Sequence, residues 1–335
     1  MHMLKIWIVG ATWAVWVEMI NCLENFQIPV SELRLWASQR SAGKEVQTYL
    51  WKIILQNIDD AFFEWLDFTL FSAWGDISRE WIPRAVALWV RVIDNSSAFR
   101  YEAGVPLVIP AVNAHAIGDA RIIANPNCTT AIALMAVSPI YRRYGIRKMI
   151  ISTYQATSGA GAKWMDELLE NTKKYFSGED PKIETFVENI AFNVIPHIDT
   201  FQDNGYTKEE MKVVWESRKI LENEDLQISC TAVRIPTLRA HSESIVIETE
   251  KPVDIDEIRE LMRSTPWVEL VDDTEKNRYP MPMHAMGKYD IEVGRIRKNL
   301  IFGEYGIEFF VSWDQLLRGA ALNAVEILDS IINRK

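Results

Sequence analysis

The chain has 335 residues, 48% hydrophobic and 24% charged, which suffices for two domains or one large α/β unit and excludes a disordered chain. A formal net charge of −10 excludes nucleic acid as a main partner, because phosphate backbones need a basic face, while small anions stay within reach of local Arg and Lys residues. Cys22, Cys128 and Cys230 are odd in number and lack metal-ligand spacing, so no metal site is expected, a reducing compartment fits, and one thiol is available as a nucleophile.

The first predicted element is the strand LKIWIV (4–9), followed by Gly10 and a helix over Ala14–Asn25. The apolar run Ile6–Val17 has no A-x-A-like cleavage site after it, and Glu18, Asn21 and Glu24 continue an amphipathic helix, unlike a signal peptide. No other run approaches the roughly 18 residues that cross a membrane, so no membrane partner and a cytoplasmic location are expected. The strand signals ELRLWAS (32–38), DFTLFSA (67–73) and RVIDN (91–95) follow, with a helical pattern over Ile77–Trp89. Short apolar strands that end in small or polar residues and alternate with helices predict a parallel, doubly wound sheet. Its ligand crevice lies at the strand carboxyl ends.

A helix over Thr129–Tyr144 opens a second pattern. The runs RKMIISTYQA, QISCTAVRIP, ESIVIETE, YDIEVGRI and GIEFFVSW are longer and alternate polar with apolar residues. They predict a largely antiparallel sheet with one covered face. Helices over 160–176, 207–222 and 254–263 are expected on it, the second with a capping-box spacing at Thr207 and Glu210. A last helix, Leu316–Asn333, returns to the first domain. The expected organisation is α/β: a Rossmann-type domain of residues 1–127 plus 314–335, and an α+β catalytic and dimerisation domain of residues 128–313.

The stretch NPNCTTAIALMAV carries the strongest chemical signal. Cys128 follows a Pro-containing turn and opens a helix, where the dipole and unpaired N–H groups favour a thiolate. The same N–H groups and the amide of Asn127 suit an oxyanion beside the sulfur. An isolated cysteine is more often an ordinary buried residue; the Asn-Pro-Asn-Cys-Thr-Thr context favours the nucleophile. In ASQRSAGK, Ser38, Arg40 and Ser41 follow the second strand, where an acidic residue would hold the ribose of NAD. Serine and arginine at that point favour the 2′-phosphate of NADP.

With VGAT, ASQRSAGKEV, FSA-x-GD, VIDNSSAFR, VNAHAI, ANPNCTT, STYQATSGAGAK, FNVIPHID, EEMKVVWESRKI, RIPTLRAHSES, EVGRIRK and GAALNAVEI in order, the sequence resembles the aspartate-semialdehyde dehydrogenases nearly end to end. The resemblance implies reduction of L-aspartyl 4-phosphate by NADPH to L-aspartate 4-semialdehyde and phosphate. It makes Cys128 the nucleophile that forms a thioester, His241 the acid/base and Gln155 the residue that orients the acyl group. It assigns Arg234 to the substrate α-carboxylate, Glu209 to its ammonium, and Arg100, Asn127 and Lys212 to the phosphate. Glu209 and Lys212 are three apart and share a helix face, although spacing alone reads as a surface ion pair. The resemblance further places Gly10, Thr12, Trp13, Ala14, Ser158, Gly159 and Gln315 around NADP, and implies a homodimer. His115, His197 and His284 have no such motif and read as structural.

The first loop departs from the family, reading G-A-T-W-A-V-W where relatives have G-A-T-G-A-V-G. A tryptophan brings about 150–250 Å² of side chain to positions where glycine admits a pyrophosphate or close helix packing. Trp13 is therefore expected in the phosphate site, and Trp16 is expected to push the helix off the sheet. Trp74, Trp164, Trp51 and Trp65 also stand where glycine is common. The 15 glycines and 13 tryptophans of the chain, against about 23 glycines at average usage, fit that exchange. Ala111 replaces the glutamate usual in relatives. Two further readings follow: a fold variant whose crevice no longer takes NADP, and an N-acetyl-glutamyl-phosphate reductase with the same acyl-phosphate logic.

Overall fold

The computed structural model describes residues 3–10, 13–37 and 42–333, with the backbone alone at 13, 14, 60 and 61. The chain forms two compact units, residues 1–127 with 320–335, and residues 128–319. Residues 314–319, expected with the first domain, lie in the second unit.

The first unit runs β1 (Leu4–Gly10), α1 (Trp13–Asn25), β2 (Val30–Trp36), β3 (Glu45–Gln47), β4 (Lys52–Ile54), β5 (Phe68–Ser72), α2 (Gly75–Ala87), β6 (Arg91–Asp94), α3 (Pro110–Asn113) and β7 (Ile122–Ala124). Five strands form a parallel sheet in the order β2-β1-β5-β6-β7. Strands covered on both faces need no alternation, and Ile6, Trp7, Ile8 and Val9 are all buried. Trp7 packs edge-on against Phe62, with ring centroids 3.9 Å apart, in a core with Phe63, Phe71 and Ile82. The order reverses between β1 and β5, which puts the ligand crevice of a doubly wound fold at their carboxyl ends. The hairpin β3–β4 is too short to leave a period in the sequence.

Trp16 corrects an expectation. Helix α1 stays packed on β1, and Trp16 is buried against the strand end instead of prising the two apart. A Cβ at Gly10 would meet Trp16 Cδ1 at 3.1 Å, so the indole takes the room that Gly10 leaves.

The second unit runs α4 (Cys128–Tyr144), β8 (Ile146–Gln155), α5 (Ala162–Ser177), α6 (Lys208–Ile220), β9 (Gln227–Arg234), β10 (His241–Thr249), α7 (Ile255–Ser264), β11 (Val268–Leu270), α8 (Pro282–Ala285), β12 (Ile291–Lys298) and β13 (Gly306–Trp313). Its six strands lie in the order β11-β12-β13-β10-β8-β9. The sheet is mixed, since β8–β9 and β11–β12 pair in parallel. The crossover through α5 and α6 allows β8 and β9 to run the same way. From Glu243 onward β10 alternates: Glu243, Ile245 and Ile247 are buried, as is His241, and Ser244, Val246 and Glu248 are half-buried on the other face, where only Ser242 at the strand start is buried. Helix α4, apolar around its circumference as a core helix must be, is buried from Thr129 to Ile140 and packs on β10.

Thr207 caps α6, its hydroxyl accepting from the Glu210 N–H while Glu210 accepts from the Thr207 N–H at 2.6 Å. After β13 the chain enters α9 (Leu322–Ile332), which belongs to the first unit and packs on α1. Among the described residues no helix is long and apolar enough to cross a membrane.

Candidate active site

Cys128 is the first residue of α4 and is half-buried. Pro126 disfavours helix at Asn125, and a helix start, whose first N–H groups have no intrahelical carbonyl, favours negative charge on a thiol at this position. Behind it lies Gly319, where a Cβ would stand 2.6 Å from the Cys128 Cβ. Only glycine permits that approach, and the residue types alone did not signal it.

Three strand ends bring the other groups together. Gln155 closes β8, Arg234 closes β9 and His241 opens β10, and all three side chains are buried. Register explains the meeting, since Gln155 pairs with Arg234 across β8–β9, and β10 is the other neighbour of β8. The main chain of Ala156 links two of these groups. Its N–H donates to His241 Nδ1 at 2.9 Å, and its carbonyl accepts from Arg234 Nη1 at 2.7 Å.

Burial and the nearby Arg234 cation push the His241 pKa down to about 3, against the pull of Glu209. Burial also lowers the Arg234 guanidinium from its ordinary value, opposed by Glu209 and Cys128. Nε2 of His241 is buried without a partner. Gly159 flanks it: a Cβ there would come within 3.1 Å of both Cε1 and Nε2.

A polar chain extends from these residues. Thr153 Oγ1 donates to Gln155 Oε1 at 2.9 Å, and Gln155 Nε2 donates to Glu209 Oε1 at 3.1 Å. Lys212 Nζ bridges Glu209 at 2.9 Å and Asp199 at 2.8 Å. Burial would lower the Lys212 pKa, but Glu209 and Asp199 outweigh it and raise it above the ordinary lysine range. For Asp199 burial pulls upward, and the hydrogen bond and charge of Lys212 prevail and lower its pKa. The Glu209–Lys212 pair is therefore mostly buried, unlike the surface pair that its spacing suggests. Asp199 was not anticipated; its motif FNVIPHID was the only signal.

Ser158 and Gln315 also lie beside His241. Gln315 Nε2 donates to Ser158 Oγ, and Gln315 Oε1 accepts from the N–H of Ala240 at 2.9 Å. Ala240 is buried with φ of 73°, a left-handed conformation that costs an alanine free energy. Arg239 next to it is paired at 2.6 Å with Asp314, whose side chain is fully buried.

Arg100 and Asn127 belong to the first unit and are buried there. The Arg100 guanidinium donates to the carbonyls of Asn125 at 2.9 Å and Asn95 at 2.8 Å. Gly10 ends β1 at the expected crevice, and Trp74, exposed, stands between β5 and α2 at the same edge of the sheet. The strand order and the glycine that ends β1 fit a dinucleotide. Thr12, Ser38, Arg40 and Ser41 lie outside the described residues, as do the side chains of Trp13 and Ala14.

Two family models match, "Semialdehyde dehydrogenase, NAD binding domain" over residues 5–120 and "Semialdehyde dehydrogenase, dimerisation domain" over residues 137–318. The aspartate-semialdehyde dehydrogenase of Aquifex aeolicus is 45% identical, with 98% of each chain covered. That of Bacillus subtilis is 42% identical over 98% of this chain and 97% of its own. A crystal structure of aspartate semialdehyde dehydrogenase II from Vibrio cholerae superposes with a TM-score of 0.95 at 40% identity, covering 99% of both chains. A second structure of that enzyme, complexed with ASA, gives 0.96 at 39% identity over the same share of both. These relatives favour the aspartate enzyme over N-acetyl-glutamyl-phosphate reductase. A similarity that runs through both units at such identity makes the chain a member of the aspartate-semialdehyde dehydrogenase family.

Proposed function

We propose that the protein reduces L-aspartyl 4-phosphate to L-aspartate 4-semialdehyde, with release of phosphate, in the cytoplasm and as a homodimer. The observation that carries this reading is the convergence of Gln155, Arg234 and His241 from three strand ends of the unit whose first residue is Cys128. Cys128 Sγ attacks the acyl carbon and holds it as a thioester, dividing one hard displacement into two easier steps. Arg234 meets the α-carboxylate with its planar fork, and Glu209 accepts from the ammonium. Gln155, fixed by Thr153 and Glu209, orients the acyl group. Lys212 is the second unit's cation for the phosphate, and Arg100 and Asn127 are the first unit's candidates.

NADPH, when bound, supplies the hydride. The residues proposed to hold it are Gly10, Thr12, Trp13, Ala14, Ser38, Arg40 and Ser41 in the first unit. The same role is kept for Ser158, Gly159 and Gln315.

Two measurements test the reading. Cys128→Ala is expected to abolish turnover of L-aspartate 4-semialdehyde, NADP and phosphate while leaving the circular dichroism spectrum unchanged; appreciable residual activity would exclude the thioester route. Calorimetric titration with NADPH is expected to show saturable binding to the wild type. A folded protein with no binding heat would leave the family's fold without its reaction.

A further inference from the structure

Glu209 and Lys212 have a third charged neighbour, Asp199, to which the resemblance gives no role. Resting on the dehydrogenase reading above, we infer that Asp199 is a positioning residue for substrate recognition. Its carboxylate takes up the Lys212 ammonium and so leaves the charge of Glu209 to the α-ammonium of the substrate, which makes the site selective for an aminated over a deaminated aldehyde.

Asp199 is fixed from both sides. Ile195 forms a bridge with Arg234 at the end of β9, its N–H donating to the Arg234 carbonyl at 2.9 Å and its carbonyl accepting from the Arg234 N–H at 2.8 Å. On the other side the Thr200 carbonyl accepts at 2.7 Å from the N–H of Lys208, the first residue of α6, and Phe201 pairs with Thr207. Helix α6 is itself anchored, since Glu210 Oε1 accepts from the Ala232 N–H of β9 at 2.9 Å. The segment that carries Asp199 is thus tied at one end to the strand of Arg234 and at the other to the helix of Glu209 and Lys212.

The backbone of Asp199 has φ of 71°. Aspartate and asparagine tolerate this left-handed region better than other side chains, because a short polar group bonds locally. Here Oδ1 accepts from the Thr200 N–H at 2.8 Å, which leaves Oδ2 to accept from Lys212 Nζ, also at 2.8 Å. Strained residues persist where their surroundings over-determine them, and they cluster at functional sites. An ion pair on an open surface contributes little. This one is enclosed, with the Lys212 side chain 13% exposed and that of Glu209 8% exposed.

The charges define what the second carboxylate does. Without it, Lys212 and Glu209 form a neutral pair at 2.9 Å, and a substrate ammonium meets no net charge. With it, the three groups carry one net negative charge, which a single ammonium cancels. Arg234 stands outside this balance, because the substrate α-carboxylate cancels it. Glu209 also acts on Arg234 and on His241, whose ring is kept neutral by burial and Arg234. Gln155 donates to Glu209 Oε1 from an uncharged amide. Lys212 stays charged because the two carboxylates outweigh its burial. It donates one N–H to each of them, and an ammonium has a third to offer the phosphate.

A deaminated aldehyde in this site leaves the negative charge uncompensated in mostly buried surroundings, which is unfavourable. Loss of the Asp199 charge inverts the balance. The aminated substrate then adds an uncompensated positive charge, and the deaminated one adds none. Phosphate, an anion, meets Lys212 with one repelling carboxylate fewer.

The test compares two aldehydes in the direction that consumes NADP and phosphate: L-aspartate 4-semialdehyde, and 4-oxobutanoate, the same carbon chain without the ammonium. Asp199→Asn keeps the shape of the side chain and tolerates the left-handed backbone, whereas Asp199→Gly removes the side chain and favours that backbone. Circular dichroism identifies the folded variants. In each, the ratio of kcat/KM for the aminated over the deaminated aldehyde is expected to fall by about 10-fold or more, the scale of one unit charge several ångströms away in a partly buried site. The loss is expected in KM for L-aspartate 4-semialdehyde with a much smaller change in kcat, and KM for phosphate is expected not to rise. A ratio that stays at the wild-type value would overturn the inference, whether or not activity falls. So would KM values for the semialdehyde and phosphate that rise together, the mark of a loop that has only lost its shape. A wild type that turns over neither aldehyde removes the dehydrogenase reading and this inference with it. A wild type active on L-aspartate 4-semialdehyde, with the ratio unaltered in the variants, removes this inference alone.

Discussion

At the scale of single residues, the site rests on contacts that side-chain chemistry does not announce. Gly319 is the sharpest case, because a methyl group there would stand 2.6 Å from the Cys128 Cβ and 3.0 Å from its Cα. The start of α4 would have to move, and displacement of a nucleophile by about 1 Å can cost 10²-fold in rate. Gly319→Ala is therefore expected to lower kcat about 10²-fold with little change in KM, and to slow alkylation of Cys128. Unchanged kinetics would show that the helix start can yield.

His241 supplies a second prediction, in stability. Its pKa is pushed down to about 3 in the fold by burial and Arg234, whereas the unfolded chain titrates near 6.5. As pH falls through 6.5, protons bind the unfolded imidazole and not the folded one, so stability falls. The loss is about 2 kcal/mol by pH 5. Denaturant titrations between pH 7 and 5 should show that slope in the wild type and lack it in His241→Asn; equal slopes would contradict the buried neutral ring. Cys128, Gln155, Arg234 and His241 were legible because each lies in a distinctive motif. Ala156, Ala240 and Gly319 were not, since they act through backbone atoms that every residue type shares.

At the scale of elements, periodicity revealed most strands and helices, and pairing was beyond it. The parallel pairs β8–β9 and β11–β12 join segments far apart in sequence, so no local pattern encodes them. Turn chemistry was readable only in part: Trp65 stands among the tryptophans read in place of glycine, whereas Trp89 was read only as the end of a helix. Trp89 terminates α2 with φ of 66°, its N–H donating to the Val86 carbonyl and the following Val90 N–H to the Ala85 carbonyl. This is a Schellman ending, whose left-handed residue is usually glycine. Trp65 has the same φ of 66°. Left-handed strain costs about 1–2 kcal/mol, and glycine returns about 0.4–1 kcal/mol through the entropy of the unfolded chain.

The two sites differ in what tryptophan offers in return. Trp65 is 83% exposed, whereas the Trp89 ring lies 4.8 Å from the Arg121 guanidinium, a contact of about 0.5–1 kcal/mol at an exposed site. Trp65→Gly is expected to stabilise the protein by roughly 1 kcal/mol and Trp89→Gly by less, measured by chemical denaturation. Destabilisation at position 65 would show that the indole makes contacts worth more than its backbone strain.

At the scale of the whole molecule, the six-stranded sheet has one face buried under α4 and other helices and one that no element of its own unit closes. On the open face, Ile150 of β8 is 46% exposed, and the rings of Tyr154 and Phe310 lie 5.9 Å apart on neighbouring sides of β10. Val246 pairs with Ile150 across the strands and Ser244 with Ser152 beside them, so aliphatic and aromatic side chains share the centre of this face with serines. Such a patch marks an association surface, and in a homodimer with two-fold symmetry the same patch serves both partners. Sedimentation is therefore expected to give twice the chain mass of 38.6 kDa. Ile150→Lys should shift the equilibrium to monomer at micromolar concentration, because each substitution enters the interface twice. The fold of the monomer should survive, since a lysine on an exposed strand position can keep its ammonium in water. A wild type that sediments as a monomer, or a lysine variant that dimerises as before, would place the partner's contact elsewhere or remove it.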